Sequence, residues 1–222
     1  MPCQSPLTNG SCRNGAAPFF ATLLQYFLRN GTSIARPVPM PHAQETSQFQ
    51  ATLLRPRLAD GEAFWAFVVL PREASEKLPR RGRTSVDGRI NGHPFQARLE
   101  PDGQLSHWLR VDNDLLQATG AAIGDLVTLE IAPVEQEPEP DVPADLAEAL
   151  AAAPEARDVW DATTTIARLD WIHWIESARQ SKTRAKRIAD ACAMLGEGKK
   201  RVCCFDQSGY YSKAFRAPEA VG

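Results

Sequence analysis

Between Phe49 and Ile131 the chain cannot sustain a long helix, because its apolar residues alternate with polar ones and glycine-bearing turns keep interrupting them. Six strand signals follow one another: Phe49 to Leu54, Ala63 to Leu70, Ser85 to Ile90, Phe95 to Leu99, Leu105 to Val111 and Leu126 to Ile131. Asp60-Gly61 and Asp102-Gly103 supply turns, and Asn91-Gly92 suits a tight hairpin whose central residues need positive φ. Phe95, Ala97 and Leu99 share one strand face, as do Val127, Leu129 and Ile131, so one side of the sheet is expected to be buried. Asp112 to Thr119 reads as a short inserted helix, with Asp112 or Asn113 as N-cap and Gly120 as its stop. Short strands with open edges are an aggregation liability. The expectation is therefore a small closed antiparallel β-barrel over residues 46–133.

The period then changes. Residues 134–143 hold three prolines and four acidic residues, the composition of a linker. Beyond them Leu146, Leu150 and Ala153 mark one helix, Pro154 opens a second anchored by Trp160, and Ile166 to Ala178 form a third that is apolar around much of its girth. Ser181 is the expected cap of a fourth, which carries Ile188, Cys192 and Leu195 and stops at Gly196 and Gly198. The fold class is thus α+β: a barrel followed by a three- or four-helix module over residues 144–205, with residues 206–222 as a flexible tail. Residues 1–45 read as a disordered extension with Met40 as a natural translation start, and their apolar run from Ala16 to Leu28 is too short to span a bilayer.

At 222 residues, 43% apolar and 23% charged, the chain matches neither collagen nor a disulfide knot nor a membrane protein. Cys3, Cys12, Cys192, Cys203 and Cys204 are odd in number and lack CxxC spacing, which argues against a disulfide framework or a zinc ribbon and favours a reducing, cytoplasmic setting.

The residues also carry two resemblances. The run Phe64 to Pro71, the segment Val86-Asp87-Gly88-Arg89-Ile90-Asn91-Gly92-His93-Pro94-Phe95, and Gly124-Asp125-Leu126-Val127 resemble the bacterial and archaeal β-barrel family known as DUF1905 over Ser47 to Pro133. That resemblance implies a barrel and no assigned activity. Trp174 to Arg179, Thr183 to Ile188, and Glu197 to Arg201 followed by Cys203-Cys204-Phe205 resemble the YdeI/OmpD-associated, or bacteriocin-protection, family over Asp158 to Phe205. Val202 stands where relatives are expected to carry proline. The second resemblance implies a link to envelope stress or bacteriocin tolerance and names no reaction.

No nucleophile elbow, HExxH, GxxxxGK[ST] or GxGxxG sequence is present, so no catalytic residue, metal site or cofactor is assigned. His173, between Ile172 and Trp174, reads as a surface or packing histidine. Charge is the local anomaly. From Arg179 to Arg201 there are eight Lys or Arg residues against Asp190 and Glu197, in a chain whose net charge is −2. Lys182, Arg184, Lys186 and Arg187 crowd the first half of a helix, where the macrodipole disfavours cations by about 0.3–1 kcal/mol each. Either the acidic stretch from Glu135 to Asp161 folds against them, or an anionic ligand or acidic protein segment does. With Lys199, Lys200 and Arg201 they form the candidate anion-binding set. A second basic run, Lys77, Arg80, Arg81 and Arg83, lies in the barrel's long loop. Cys203 and Cys204, just past three cations, are the redox candidates, although adjacent side chains diverge in an extended chain. The expected function is non-catalytic binding or stress tolerance of bacteriocin-protection type. The alternatives are polyanion or nucleic-acid binding by the basic helix, and an enzyme with its site between barrel and helices.

Overall fold

The computed structural model describes residues 46–57 and 63–221. The N-terminal extension with Cys3, Cys12, Met40 and His42, and the Asp60-Gly61 turn, lie outside these residues. The chain runs β1 (Ser47–Thr52), β2 (Trp65–Val69), α1 (Arg72–Glu76), β3 (Thr84–Ile90), β4 (His93–Pro101), β5 (His107–Asp112), α2 (Asn113–Thr119) and β6 (Leu126–Pro133). Four helices follow, α3 (Ala144–Ala151), α4 (Pro154–Asp161), α5 (Thr165–Glu176) and α6 (Ser181–Gly196).

The strands form one antiparallel sheet in the order β1-β6-β3-β4-β5-β2. Its edges are β1 and β2, and they do not pair along their length, so the sheet is an open half-barrel and not the closed barrel expected. A single bridge between Leu54 and Phe67 joins them. The ladder cannot continue, because two residues on stands Pro56, which has no N–H and pairs with Ala220 near the C-terminus. Asn91 and Gly92 adopt φ of 48° and 85°, closing the β3–β4 hairpin as their sequence requires. Gly88 is needed for a different reason. A Cβ there would lie 2.6 Å from the Glu130 carbonyl oxygen and 2.8 Å from the Phe95 ring, so the ring occupies the place of a side chain.

Alternation produces the core of the sheet. Val127, Leu129 and Ile131 are buried with Val68, Val86, Ile90, Leu99, Leu109 and Val111, while Leu126 on the opposite face is exposed. The Asp112 side chain accepts from Leu115 N at 3.1 Å to cap α2, and Gly120 ends it in the left-handed conformation. The helices bury a second core of Leu146, Leu150, Trp160, Trp171, Ile172, Ile175, Ile188 and Leu195. Helix α5 is its centre, buried on several sides. Ser181 is the first residue of α6 and not its cap, and Gln180 in the cap position makes no side-chain hydrogen bond.

Two segments are held more firmly than their composition suggests. In the linker, Glu137 accepts from Ser85 N and Oγ at 3.2 and 2.6 Å, and Glu139 accepts from Thr165 Oγ1 and Arg168 Nη1 at 2.9 and 2.5 Å. Residues 206–221, expected as a flexible tail, are tied to the fold at several points although many of their side chains are exposed. Ser208 is buried, Arg57 N donates to Glu219 O at 2.9 Å, and Val221 N donates to Arg55 O at 2.8 Å. The tail thus supplies main-chain partners to the chain just past β1, where Pro56 interrupts pairing.

Candidate functional site

The loop between α1 and β3 carries arginines from the barrel to the helices. Arg83 donates to Glu100 Oε2 of β4 at 2.7 Å and to Glu176 Oε2 of α5 at 2.6 Å. Arg80 pairs with Asp170 of α5 and donates to Gln207 Oε1 at 3.1 Å, while Gln207 Nε2 donates to Asp170 Oδ2 at 2.7 Å. Arg81 Nη1 donates to the Leu105 carbonyl at 2.9 Å. Barrel loop, α5 and C-terminal segment therefore meet in one charged clasp. Burial pushes the Asp170 carboxyl above the usual carboxylate range despite the guanidinium beside it.

Beside the clasp opens a cleft of about 500 Å³ between barrel, linker and helices. Arg80, Asp170 and Gln207 form one part of its lining, Glu135 and Glu137 come from the linker, and Arg201 comes from the segment after α6. Pro79, Ile166, Val202 and Phe205 add apolar surface, and Ile166 is 48% exposed. Among the described residues, Arg201 makes no hydrogen bond and no ion pair; it acts on Asp170 only through its charge. Thus one cation from each basic run in the sequence, Arg80 and Arg201, reaches the same cleft.

Both inner histidines are structural. His107 is buried, with Nδ1 2.7 Å from Ser75 Oγ and Nε2 2.9 Å from the Gly82 carbonyl. The carbonyl requires a proton on Nε2, so Nδ1 accepts from the hydroxyl. This serine–histidine contact has the reach of a nucleophile and base, but solvent touches neither side chain, and it pins α1 to β5. His173 is also buried, stacked on Phe215 with ring centroids 4.2 Å apart and meeting Phe205 edge-on at 5.3 Å. Burial first, then the positive charges of Arg83, Arg80 and Arg98, push it down to about 2.

The candidate anion-binding residues do not converge. Arg184 holds Asp145 of α3 with two hydrogen bonds of 2.7 and 2.9 Å. Arg187 turns back to the Trp174 carbonyl and to Ser177 Oγ. Lys186 pairs with Asp190 at 2.6 Å and Lys199 with Glu197 at 2.8 Å. Lys182 and Lys200 are exposed. Helix α6 separates the two groups of cations by roughly 20 Å, given a rise of about 1.5 Å per residue. Of the set, only Arg201 lines the cleft. Cys203 and Cys204 are exposed, and their sulfurs lie 3.2 Å apart. Among the described residues, no cluster of three or more His, Cys, Asp or Glu side chains could hold a metal ion, and no helix is long and apolar enough to cross a membrane.

Residues 49–131 match the family described as a domain of unknown function, DUF1905, and residues 139–198 match the one described as bacteriocin-protection, YdeI or OmpD-associated. The chain thus carries a DUF1905 match followed, in that order, by a YdeI/OmpD-associated match. No curated protein matches it. The DUF1905 match contains the arginine loop and ends at β6, and the YdeI/OmpD-associated match contains Asp170 and Glu176, so the clasp is made across the boundary of the two families. Gln207, Arg201 and both vicinal cysteines lie beyond the second match. Asp170, Glu137 and Gln207 carry no motif in the sequence that marks them as site residues. The available signal was the second basic run, whose burial needs acids elsewhere.

Proposed function

We propose that this protein is a non-catalytic binding protein of bacteriocin-protection type, whose DUF1905 and YdeI/OmpD-associated domains jointly hold a peptide segment in the cleft between them. The carrying observation is the lining: a single 500 Å³ cleft combining exposed Ile166, the acids Glu135 and Glu137, and an Arg201 without an acidic partner within ion-pair distance among the described residues. A purely anionic ligand would meet those glutamates, and a purely apolar one would strand the charges. A peptide of mixed charge with apolar side chains satisfies both. The family description of the second domain supports the bacteriocin-protection part of this reading.

Calorimetric titration with a panel of short amphipathic peptides of positive, negative and mixed charge tests it. Mixed-charge members should bind, and Ile166→Asp and Arg201→Glu should each weaken binding at least about tenfold without changing the unfolding midpoint. Binding that survives both substitutions, or no binding by any peptide, would overturn the assignment. Retention on heparin lost on Lys182→Glu and Lys186→Glu would point to a polyanion ligand on α6 in its place.

A further inference from the structure

The chain between α6 and the C-terminal segment has an unusual local form. Val202 and Phe205 both line the cleft, and Phe205 also packs against His173, so each end of the dipeptide between them is held. Cys203 and Cys204 are turned outward and exposed. In extended backbone their side chains would point apart. They do not, because Cys204 sits at φ 57°, in the left-handed region that a residue with a Cβ rarely adopts. That conformation places both sulfurs on one side of the chain, 3.2 Å apart. Strain of this kind, fixed by its surroundings and located at two exposed nucleophiles, is characteristic of functional sites.

Two chemistries use a pair of neighbouring thiols. A tetrahedral metal with bonds of about 2.3 Å needs its sulfurs about 3.8 Å apart and further ligands. The observed separation is shorter, and no third ligand cluster exists among the described residues. Oxidation needs only a further approach of about 1.2 Å, from 3.2 Å to bond length. Lys199, Lys200 and Arg201 stand just upstream in the sequence, Lys199 paired with Glu197. The hydrogen bond with Cys203 pushes the Cys204 thiol up, as expected for two sulfurs that share a proton.

We propose that Cys203 and Cys204 form a reversible redox site that closes to a vicinal disulfide on reaction with a hydroperoxide. One thiolate attacks a peroxide oxygen, the O–O bond breaks, and an alcohol or water leaves with a proton, giving a sulfenic acid. The neighbouring thiolate then attacks that sulfur, the S–S bond forms, and the hydroxyl departs as water. Two electrons pass from the sulfurs to the peroxide, and the protein loses two hydrogens. Adjacent residues keep their Cα atoms about 3.8 Å apart, below the 4.4–6.8 Å usual for disulfides, so the bond is strained and a small thiol reopens it. The site stands whatever the cleft binds.

The experiment is peroxide titration of the full folded chain, followed by alkylation in denaturant and peptide mass mapping. The peptide holding Cys203 and Cys204 should lose two hydrogens and escape alkylation at peroxide doses that leave the half-buried Cys192 reduced, and glutathione should restore both thiols. Cys203→Ser and Cys204→Ser should each leave one sulfur that stops at sulfenic acid or goes on to sulfinic acid. Full alkylation at both positions after peroxide would overturn the proposal, as would pairing of either cysteine with Cys3, Cys12 or a second chain. Capture of a trivalent arsenical by the pair, with no disulfide under peroxide, would also overturn it and make the pair a soft-ligand site.

Discussion

The two basic segments of this chain have similar composition and opposite fates. In the loop before β3, Arg80 and Arg83 are each only 11% exposed and are tied to Asp170, Glu100 and Glu176. In the first half of α6, Lys182 and Lys186 stand in solvent, and Arg184 reaches Asp145 across a surface that leaves the two side chains 29% and 45% exposed. What differs is what covers each segment. The loop lies between two hydrophobic cores, so its charges are desolvated and must be paired. The helix lies on one core with its polar face outward, and water solvates its cations. A run of cations in a sequence therefore marks either a surface or a seam, and the loop is the seam.

The largest test of that contrast is Asp170→Ala. It leaves Arg80 buried without its carboxylate, and breaking such a pair costs about 3–5 kcal/mol. Urea denaturation should show the midpoint falling accordingly, with the apolar double replacement Arg80→Met/Asp170→Leu regaining much of the loss. A loss below about 1 kcal/mol for Asp170→Ala would mean that the clasp is hydrated like the helix surface.

Acid probes the same seam. His173 is held down to about 2 by its burial and by the loop arginines, and burial also pushes His107 below its ordinary value. In the unfolded chain both titrate near 6.5, so below that pH the unfolded state binds more protons than the folded one. Stability should be complete above about pH 6.5 and fall on acidification, with a limiting slope of about 1.4 kcal/mol per pH unit for each histidine. For His173 the loss continues down to about pH 2. Urea midpoints between pH 7 and pH 4.5 measure it. His173→Phe should remove about half of the slope, and a slope unchanged by that substitution would show that His173 takes up its proton in the folded state.

Much of this architecture was legible because local signals agreed with tertiary need. Asn91-Gly92 had to be a hairpin, Asp112 and Gly120 bracket α2, and Val127, Leu129 and Ile131 alternate because one face of β6 is buried. Barrel closure was not legible. It depends on whether two distant strands meet, and Pro56, which stops them, would also fit past a strand end at the rim of a closed barrel. The anchoring of the C-terminal segment was illegible for a related reason. Its polar, irregular sequence carries no periodicity, yet Phe215 stacks on His173, and Gly103 and Gly209 leave room for Phe215 that a Cβ would fill. The candidate site was half legible. Arg80 and Arg201 announce themselves as charge, whereas Asp170 and Gln207 gain their roles only when α5 and the C-terminal segment come together.

The smallest effect concerns the helix surface itself. Lys182 occupies the first turn of α6, the end at which the macrodipole disfavours positive charge. Arg184 offsets its share through Asp145, whose carboxyl those hydrogen bonds hold below the usual range, and Lys186 does so through Asp190. Lys182 is exposed in that first turn, and no side chain caps the helix there. If the cation serves only as solvated surface, Lys182→Glu should raise stability by about 0.3–1 kcal/mol, a gain that salt screens away. Arg184→Ala, by contrast, should cost no more than about 1 kcal/mol, because its pair is open to water. Urea midpoints at low and high salt decide the matter. A loss of stability on Lys182→Glu would show that the lysine has an acidic neighbour to lose, and the first half of α6 would then belong with the buried loop.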